Sequence, residues 1–258
     1  MKRVVVISDL HCGHETGITP PDWNPPYSTQ APRYKVYQLR RQLWKFYADA
    51  LAEIQPIDAL IVNGDLTDGK GERSGGTELL TADRIEQSDM ATASIGEANA
   101  KEVFLSYGTP YHGGNSEDFE KLVAYNLGAS IQGHGWLEAN GVTFDYKHTI
   151  SRSSIPHGRY TALAREKLWG DIQGEHGEYP KADVILRSHV HYFAYCGGYK
   201  WLGMITPSLQ GPTKYGRQVT GTIDFGLVWF DITEKGEMSW HYNILKLRSG
   251  RRMVNHLK

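Results

Sequence analysis

An α/β fold with a partly parallel sheet is what this sequence predicts, on three observations. Val4-Val5-Val6-Ile7 is a continuous β-branched run bounded by polar residues, the pattern of a strand buried on both faces. A second run of the same kind, Ala59-Leu60-Ile61-Val62, follows it. Between the two, Val36, Leu39, Leu43, Tyr47, Leu51 and Ile54 fall at helical spacing, so an amphipathic crossover helix is expected over Tyr34–Ile54. Strand, long helix, strand is a βαβ unit, and its two strands should run parallel. Each run leads to a carboxylate, Asp9 or Asp65. Both acidic ends then lie at one sheet edge, where open α/β sheets bind ligands.

The first strand exits into Asp9-Leu10-His11. Residues two apart in extended chain point to the same side, so a carboxylate and an imidazole converge there. They suit a metal ion. A turn cap at Asp9 and a surface histidine at His11 explain this stretch equally well when it is taken alone.

His14 to Arg33 holds Pro20, Pro21, Pro25, Pro26 and Pro32. Proline at this density blocks helix and central strand alike. The resulting loop should overhang the ligand edge, with Trp23 and Tyr27 either stacking on a substrate or pinning the loop to the body. After the second strand, Gly69–Gly76 reads as a glycine-rich surface loop, with Lys70 and Arg73 in reach of a phosphate. A helix is predicted over Ala82–Ala98. A third strand, Glu102–Tyr107, exits into Gly108-Thr109-Pro110-Tyr111-His112. Asn115 or Ser116 reads as the N-cap of a helix over Glu117–Asn126. Val142–Lys147 reads as a strand exiting at His148, Tyr160–Trp169 as a helix, and Asp183–Arg187 as a strand exiting into Ser188-His189-Val190-His191. Gly226–Leu247 alternates around Glu234-Lys235-Gly236, a β-hairpin pattern.

The 258 residues show no internal repeat and no interdomain linker, and residues 1–258 are taken as one domain. The net charge of −1 argues against a wholly basic nucleic-acid binder. It does not exclude nucleic acid, because divalent metals would change the field of a site. Lys246 to Lys258 is basic and reads as a solvated tail. Cys12 and Cys196 form no zinc or disulfide pattern, which fits a reducing, cytoplasmic setting. Cys12 reads as a small buried hydrophobe. The apolar run near the N-terminus is too short for a signal peptide, and none reaches membrane-spanning length.

Asp9, His11, Asp65, His112, His148, His189 and His191 all stand at strand exits. Five loops that each deliver a histidine or carboxylate to one edge are hard to attribute to accident. The sequence at this point resembles the calcineurin-like metallophosphoesterases. Asp9-Leu10-His11 matches their opening Asp-x-His motif, Gly64-Asp65-Leu66-Thr67-Asp68 their Gly-Asp-x-x-Asp motif, and Ser188-His189-Val190-His191 their Gly-His-x-His motif with serine in place of glycine. The layout also resembles phosphoesterases carried by phages and prophages. One motif departs: Gly108-Thr109-Pro110-Tyr111-His112 stands where the family has Gly-Asn-His and an acid. The missing asparagine ligand could be replaced by Thr109, by Asn115 or by water.

The resemblance implies a four-layer α/β/β/α sandwich of two mixed sheets. It implies two divalent metal ions, one held by Asp9, His11, Asp65 and His191, the other by Asp65, His148, His189 and Thr109, with Asp65 bridging. Manganese is favoured among ions that suit oxygen and imidazole ligands, with iron, zinc or magnesium as alternatives. A hydroxide between the metals would attack phosphorus, and His112 would protonate the leaving oxygen. The expected activity is hydrolysis of phosphate esters, leaning to phosphodiesters of nucleotides or nucleic acid. The alternatives are a phosphomonoesterase or a metal-binding scaffold with little turnover. The protein Ser/Thr phosphatase branch is disfavoured, because Gly69-Lys70 and Gly108-Thr109 replace its arginine-glycine pair and its asparagine. Asp68 reads as an anchor for the Asp65 loop. His14, Arg152 and Arg159 lie near the site in sequence; the two arginines could clamp a phosphate or form salt bridges beside a helix. His134, His157, His176, His241 and His256 read as surface or turn residues.

Overall fold

The computed structural model describes residues 1–24, 26, 28–30, 33–113, 118–153, 155–214 and 222–247, apart from the side chain of Arg73. Tyr27, Asn115, Ser116, Glu117, His256 and the basic stretch from Arg248 onward lie outside the described residues.

The βαβ unit is present. β1 (Lys2–Ile7), α1 (Tyr34–Glu53) and β2 (Ala59–Asn63) follow in order, and β1 pairs parallel to β2 with Val5 opposite Leu60. β3 (Glu102–Ser106) continues the parallel set, with a short parallel β4 (Ser130–Gln132) beyond it. β10 (Phe225–Ile232) and β11 (Met238–Leu245) form the expected hairpin and add antiparallel on the other side of β1. The first sheet therefore runs β11-β10-β1-β2-β3-β4. The second runs β5-β6-β7-β9-β8 and is built from β5 (Gly135–Ala139), β6 (Val142–Tyr146), β7 (Val184–Arg187), β8 (Ala194–Gly198) and β9 (Trp201–Ile205). It is also mixed, with β6-β7-β9 parallel and the two outer strands antiparallel.

The period-two alternation of β1 and β2 explains the layers. Val5, Ile7, Leu60 and Val62 face Leu43, Tyr47 and Leu51 of α1, and Met90 and Ile95 of α2 (Arg84–Gly96). Val4, Val6, Ala59 and Ile61 face the second sheet and pack with Phe144, Val184, Leu186 and Met204. Phe144 meets Phe230 edge to face across the two sheets, ring centres 5.0 Å apart. On the far side, α5 (Gly158–Glu175) lays Ala162 and Leu163 against Ala194 and Ile205. These are the four layers of an α/β/β/α sandwich. No described helix is long and apolar enough to cross a membrane.

Three local expectations change. α4 (Phe119–Asn126) is capped by Asp118, whose carboxylate accepts the Lys121 N–H, so the cap falls two or three residues later than Asn115 or Ser116. α5 is longer at both ends than Tyr160–Trp169. Gly135–Ala139 is a strand joined to β6 through Asn140-Gly141, both at positive φ (48° and 83°), the left-handed pair of a tight hairpin turn.

Candidate metal centre

The ends of β1, β2 and β3 in one sheet and of β6 and β7 in the other open onto the same place. Ligand atoms of Asp9, His11 and His191 lie within 4.8 Å of one another, as do those of His11, Asp65 and His112, and those of Asp65, His148 and His189. Asp65 and His11 each belong to two of these groups, so the three are contiguous.

Extended chain does not bring these side chains together. Asp9 (φ 51°), His11 (45°), Asp65 (51°), His189 (73°) and His191 (58°) all adopt left-handed backbone. For residues with a Cβ this costs roughly 1–2 kcal/mol each, and such positions cluster where a site over-determines them. The left-handed steps turn the chain sharply at each strand end and aim both members of Asp9/His11 and of His189/His191 inward. Two glycines make the room. A Cβ on Gly64 would fall 2.5 Å from the His148 ring, and one on Gly108 would fall 2.2 Å from the Asp65 carboxylate.

Hydrogen bonds fix the rings. His148 Nδ1 donates to the Asn63 carbonyl at 2.7 Å, which turns Nε2 toward the carboxylates. That Nε2 is buried, lies 3.0 Å from Asp65 Oδ2 and makes no hydrogen bond. His11 Nδ1 lies 3.1 Å from Asp68 Oδ1, while its Nε2 faces His191 Nε2 at 3.2 Å. His191 Nε2 in turn lies 3.2 Å from Asp9 Oδ1. Asp9 also accepts from the Ser8 hydroxyl and the His189 N–H. Imidazole nitrogens facing each other and facing carboxylates, with a buried nitrogen left over, are a donor set arranged for cations. Oxygen and imidazole ligands without thiolate fit manganese, iron or zinc.

The electrostatics agree. Burial works against charge on Asp9, but His191 and then His148 prevail and hold its carboxyl at about 2. Burial also opposes ionisation of Asp65, yet His148, His112 and His11 hold it well below the usual carboxylate range. Burial opposes charge on His148 too, and the Asp65 and Asp9 carboxylates overcome it, lifting the imidazole to about 10. His11 is pushed well below its ordinary value by burial and by His112, and His189 is lowered by burial and by His148.

Thr109 stands beside Asp65, donating both its backbone N–H (2.6 Å) and its hydroxyl (3.0 Å) to Asp65 Oδ1. His112, on the short α3 (Pro110–Gly113), donates from Nδ1 to the Asp68 carbonyl at 2.7 Å, and a nitrogen of its ring lies within 4.8 Å of the His11 and Asp65 ligand atoms. The site opens into a cavity of about 440 Å³. His14, Arg152 and Lys214 line it, as do Gly71 and Ser74 of the glycine-rich loop.

Other expected residues take clear places. Asp68 orients His11. Trp23 packs against the helix-side core and pins the proline-rich loop. Cys12 is fully buried, and burial pushes its thiol up to about 12. Arg159 lies over the Tyr192 ring, its guanidinium carbon 4.0 Å from the ring centre. His157, His176 and His241 are exposed. His134 is not a plain surface residue: it stacks on Trp136 and sits 2.8 Å from Asp145 Oδ1.

The sequence reading missed Glu120. Fully buried on α4, it accepts the Leu66 N–H (2.9 Å) and the Gly108 N–H (2.8 Å), tying the loop after β2 to the loop after β3. Burial, with Asp65 nearby, raises its carboxyl to about 7. Its first-turn position on a helix gave no hint of this. Asn63, just before Gly64, also supports the site: its Nδ2 donates to Ser188 Oγ and its Oδ1 accepts from Ser106 Oγ.

Comparison with known proteins adds the family. A search of curated proteins finds no match. Among solved structures, the chain is similar to zinc-complexed Vps29 from Entamoeba histolytica (12% identity, 94% of this chain and 98% of that one, TM-score 0.44). It is similar to an archaeal phosphodiesterase (12% identity, 94% and 99%, TM-score 0.47) and to Vps29 from Chaetomium thermophilum (10% identity, 95% and 98%, TM-score 0.48). Residues 2–193 match the sequence profile of the calcineurin-like phosphoesterases. With that match reaching from β1 through both strand-exit histidines of β7, the chain belongs to the calcineurin-like phosphoesterase family.

Proposed function

We propose that this protein is a dinuclear metal-dependent phosphodiesterase acting on nucleotides or nucleic acid. The observation that carries the reading is the position of Asp65, whose carboxylate is shared between the His11 and the His148/His189 ligand groups. In this reading Asp9, His11, Asp65 and His191 hold one ion, and Asp65, His148 and His189 hold the other. Thr109 fixes the Asp65 carboxylate and offers its remaining hydroxyl lone pairs to the second ion. When bound, two divalent cations neutralise the phosphoryl oxygens and acidify a water for attack on phosphorus. His112 stands beside the centre and holds the proton that the leaving oxygen takes. Asp68 orients both catalytic-side rings, taking His11 through its carboxylate and His112 through its carbonyl. A reducing cytoplasm suits the two free thiols, Cys12 and Cys196.

Manganese is the favoured ion. A manganese-supplemented screen of monoesters, diesters and nucleic acid, with metal content measured in parallel, tests the reading. Two bound metals with faster turnover of diesters than monoesters supports it, and preference for monoesters converts it to a phosphatase. One observation favours a second reading, a metal-binding scaffold: Thr109 spends both of its donors on Asp65 in the place where the family has an asparagine. Tight metal binding with no hydrolysis of any ester selects the scaffold.

A further inference from the structure

We propose that His14 is a fixed, neutral hydrogen-bond donor whose Nε2–H holds a non-bridging oxygen of the phosphoryl group at the metal centre, a role that rests on the phosphodiesterase reading above.

Hydrogen bonds set the tautomer. The Thr16 backbone N–H donates to His14 Nδ1 at 3.0 Å. A backbone N–H only donates, so Nδ1 is the acceptor and bears no proton. An imidazolium, protonated on both nitrogens, could not take this bond. The ring is therefore neutral, and its one proton sits on Nε2. The Thr16 hydroxyl lies 3.0 Å from the same Nδ1. His112 and His148 are built the other way round. Each donates from Nδ1 to a backbone carbonyl at 2.7 Å, His112 to Asp68 and His148 to Asn63. In the neutral ring that arrangement leaves a lone pair on Nε2, the form that binds a cation or takes up a proton. Of these three histidines, His14 alone is set to donate from Nε2 without carrying a charge.

The ring stands where a substrate would meet it. His14 lines the cavity of about 440 Å³ together with His11, Asp65, His112 and His191. Among the described residues its Nε2 makes no hydrogen bond, and it is not one of the polar atoms sealed away from solvent. The backbone is held on both sides. The His14 N–H donates to the His11 carbonyl at 3.0 Å, its carbonyl accepts the Gly17 N–H at 3.1 Å, and the residue bridges to Leu79. Gly13 before it takes φ 101°, and a Cβ there would fall 2.4 Å from the Gln87 side chain. A donor fixed in this way needs no reorganisation when negative charge builds on a phosphoryl oxygen. Loss of the Nε2 proton would leave an imidazolate, because Nδ1 carries no proton of its own. His14 therefore binds charge and transfers no proton, and protonation of the leaving oxygen stays with His112.

Long-range proton–nitrogen NMR of the histidine rings reads the tautomer in the metal-free full chain, without any turnover. The His14 ring, assigned by its loss in His14→Gln, should show the neutral Nε2–H form at pH 7. An Nδ1–H form or an imidazolium overturns the proposal. In the manganese-loaded protein, His14→Phe should weaken binding of inorganic phosphate roughly 10–100-fold, the effect of one hydrogen bond to a charged group. His14→Gln, whose amide still donates, should recover part of that loss. Metal content by mass spectrometry and thermal melting should match the wild type in both variants. Nitrophenyl and alkyl diesters should slow by the same factor in His14→Phe, because the oxygen that His14 holds does not leave. Unchanged phosphate affinity, loss of metal, or slowing confined to alkyl esters overturns the assignment. If the wild type hydrolyses no ester, the phosphodiesterase reading fails separately. The tautomer and the phosphate affinity then still decide the role of His14.

Discussion

His148 Nε2 and Asp65 Oδ2 face each other at 3.0 Å, an arrangement set by His148 Nδ1 donating to the Asn63 carbonyl. In the metal-free protein a proton on Nε2 takes the place of a cation. His148 is raised from an ordinary 6.5 to about 10, so its stabilising effect is full below pH 6.5 and is lost as pH rises through about 10. The metal-free protein should therefore melt at lower temperature as pH is raised from 7 to 10, and manganese should remove that slope. Metal binding at pH 7 to 8 should release protons, measurable by calorimetry in buffers of different ionisation enthalpy. Proton-neutral binding with a flat melting profile refutes the assignment.

Asp65→Asn should empty both metal sites and abolish turnover, because this carboxylate joins the two ligand groups. Metal content by mass spectrometry is the direct measure. Retention of two tightly bound ions at near-normal rate refutes the bridging role.

Asp68→Ala should cost about 10–100-fold in metal affinity or rate, the usual effect of losing the partner that orients a ligating histidine. The Asp68 carbonyl that holds His112 survives the change, so the loss should appear mainly in the ion held by His11.

His112→Ala should cripple hydrolysis of alkyl or nucleotide esters by roughly 10²–10⁴ and harm nitrophenyl esters much less. An alkoxide needs a proton on departure and a nitrophenolate does not. Loss of metal in this variant would instead make His112 a ligand, a role its closeness to His11 and Asp65 permits.

Arg187→Met tests the scaffold under the site. Arg187 is 1% exposed and bonds Asp145 Oδ1 at 2.6 Å and Glu166 Oε2 at 2.9 Å. Removing one partner of a buried ion network costs about 3–5 kcal/mol. Urea unfolding should show it, and Arg187→Lys should recover only part, since one ammonium cannot reach both acids in fork geometry.

Much of the site was legible because its chemistry is local. The pairs Asp9/His11 and His189/His191 are two apart in sequence, and each closes a strand whose apolar run is plain. The layering was less legible. β8 carries Gly197 and Gly198, β9 carries Gly203, and neither alternates cleanly, so the second sheet was implied by resemblance before it was seen. β5 has a readable signal in Asn140-Gly141, the turn pair of its hairpin with β6. What no local pattern could reveal was support through space. Glu120 clamps Leu66 and Gly108 from a helix far along the chain, and Asn63 ties Ser106 to Ser188 across strands of both sheets.

The left-handed backbone at Asp9, His11, Asp65, His189 and His191 has an evolutionary consequence. Glycine is the one residue that occupies such a conformation freely. At each of these five positions a mutation to glycine would relax the main chain and delete a ligand in the same step. That relief of the main chain is set against the contacts these side chains make without metal, such as the His148–Asp65 pair and the Thr109 bonds to Asp65.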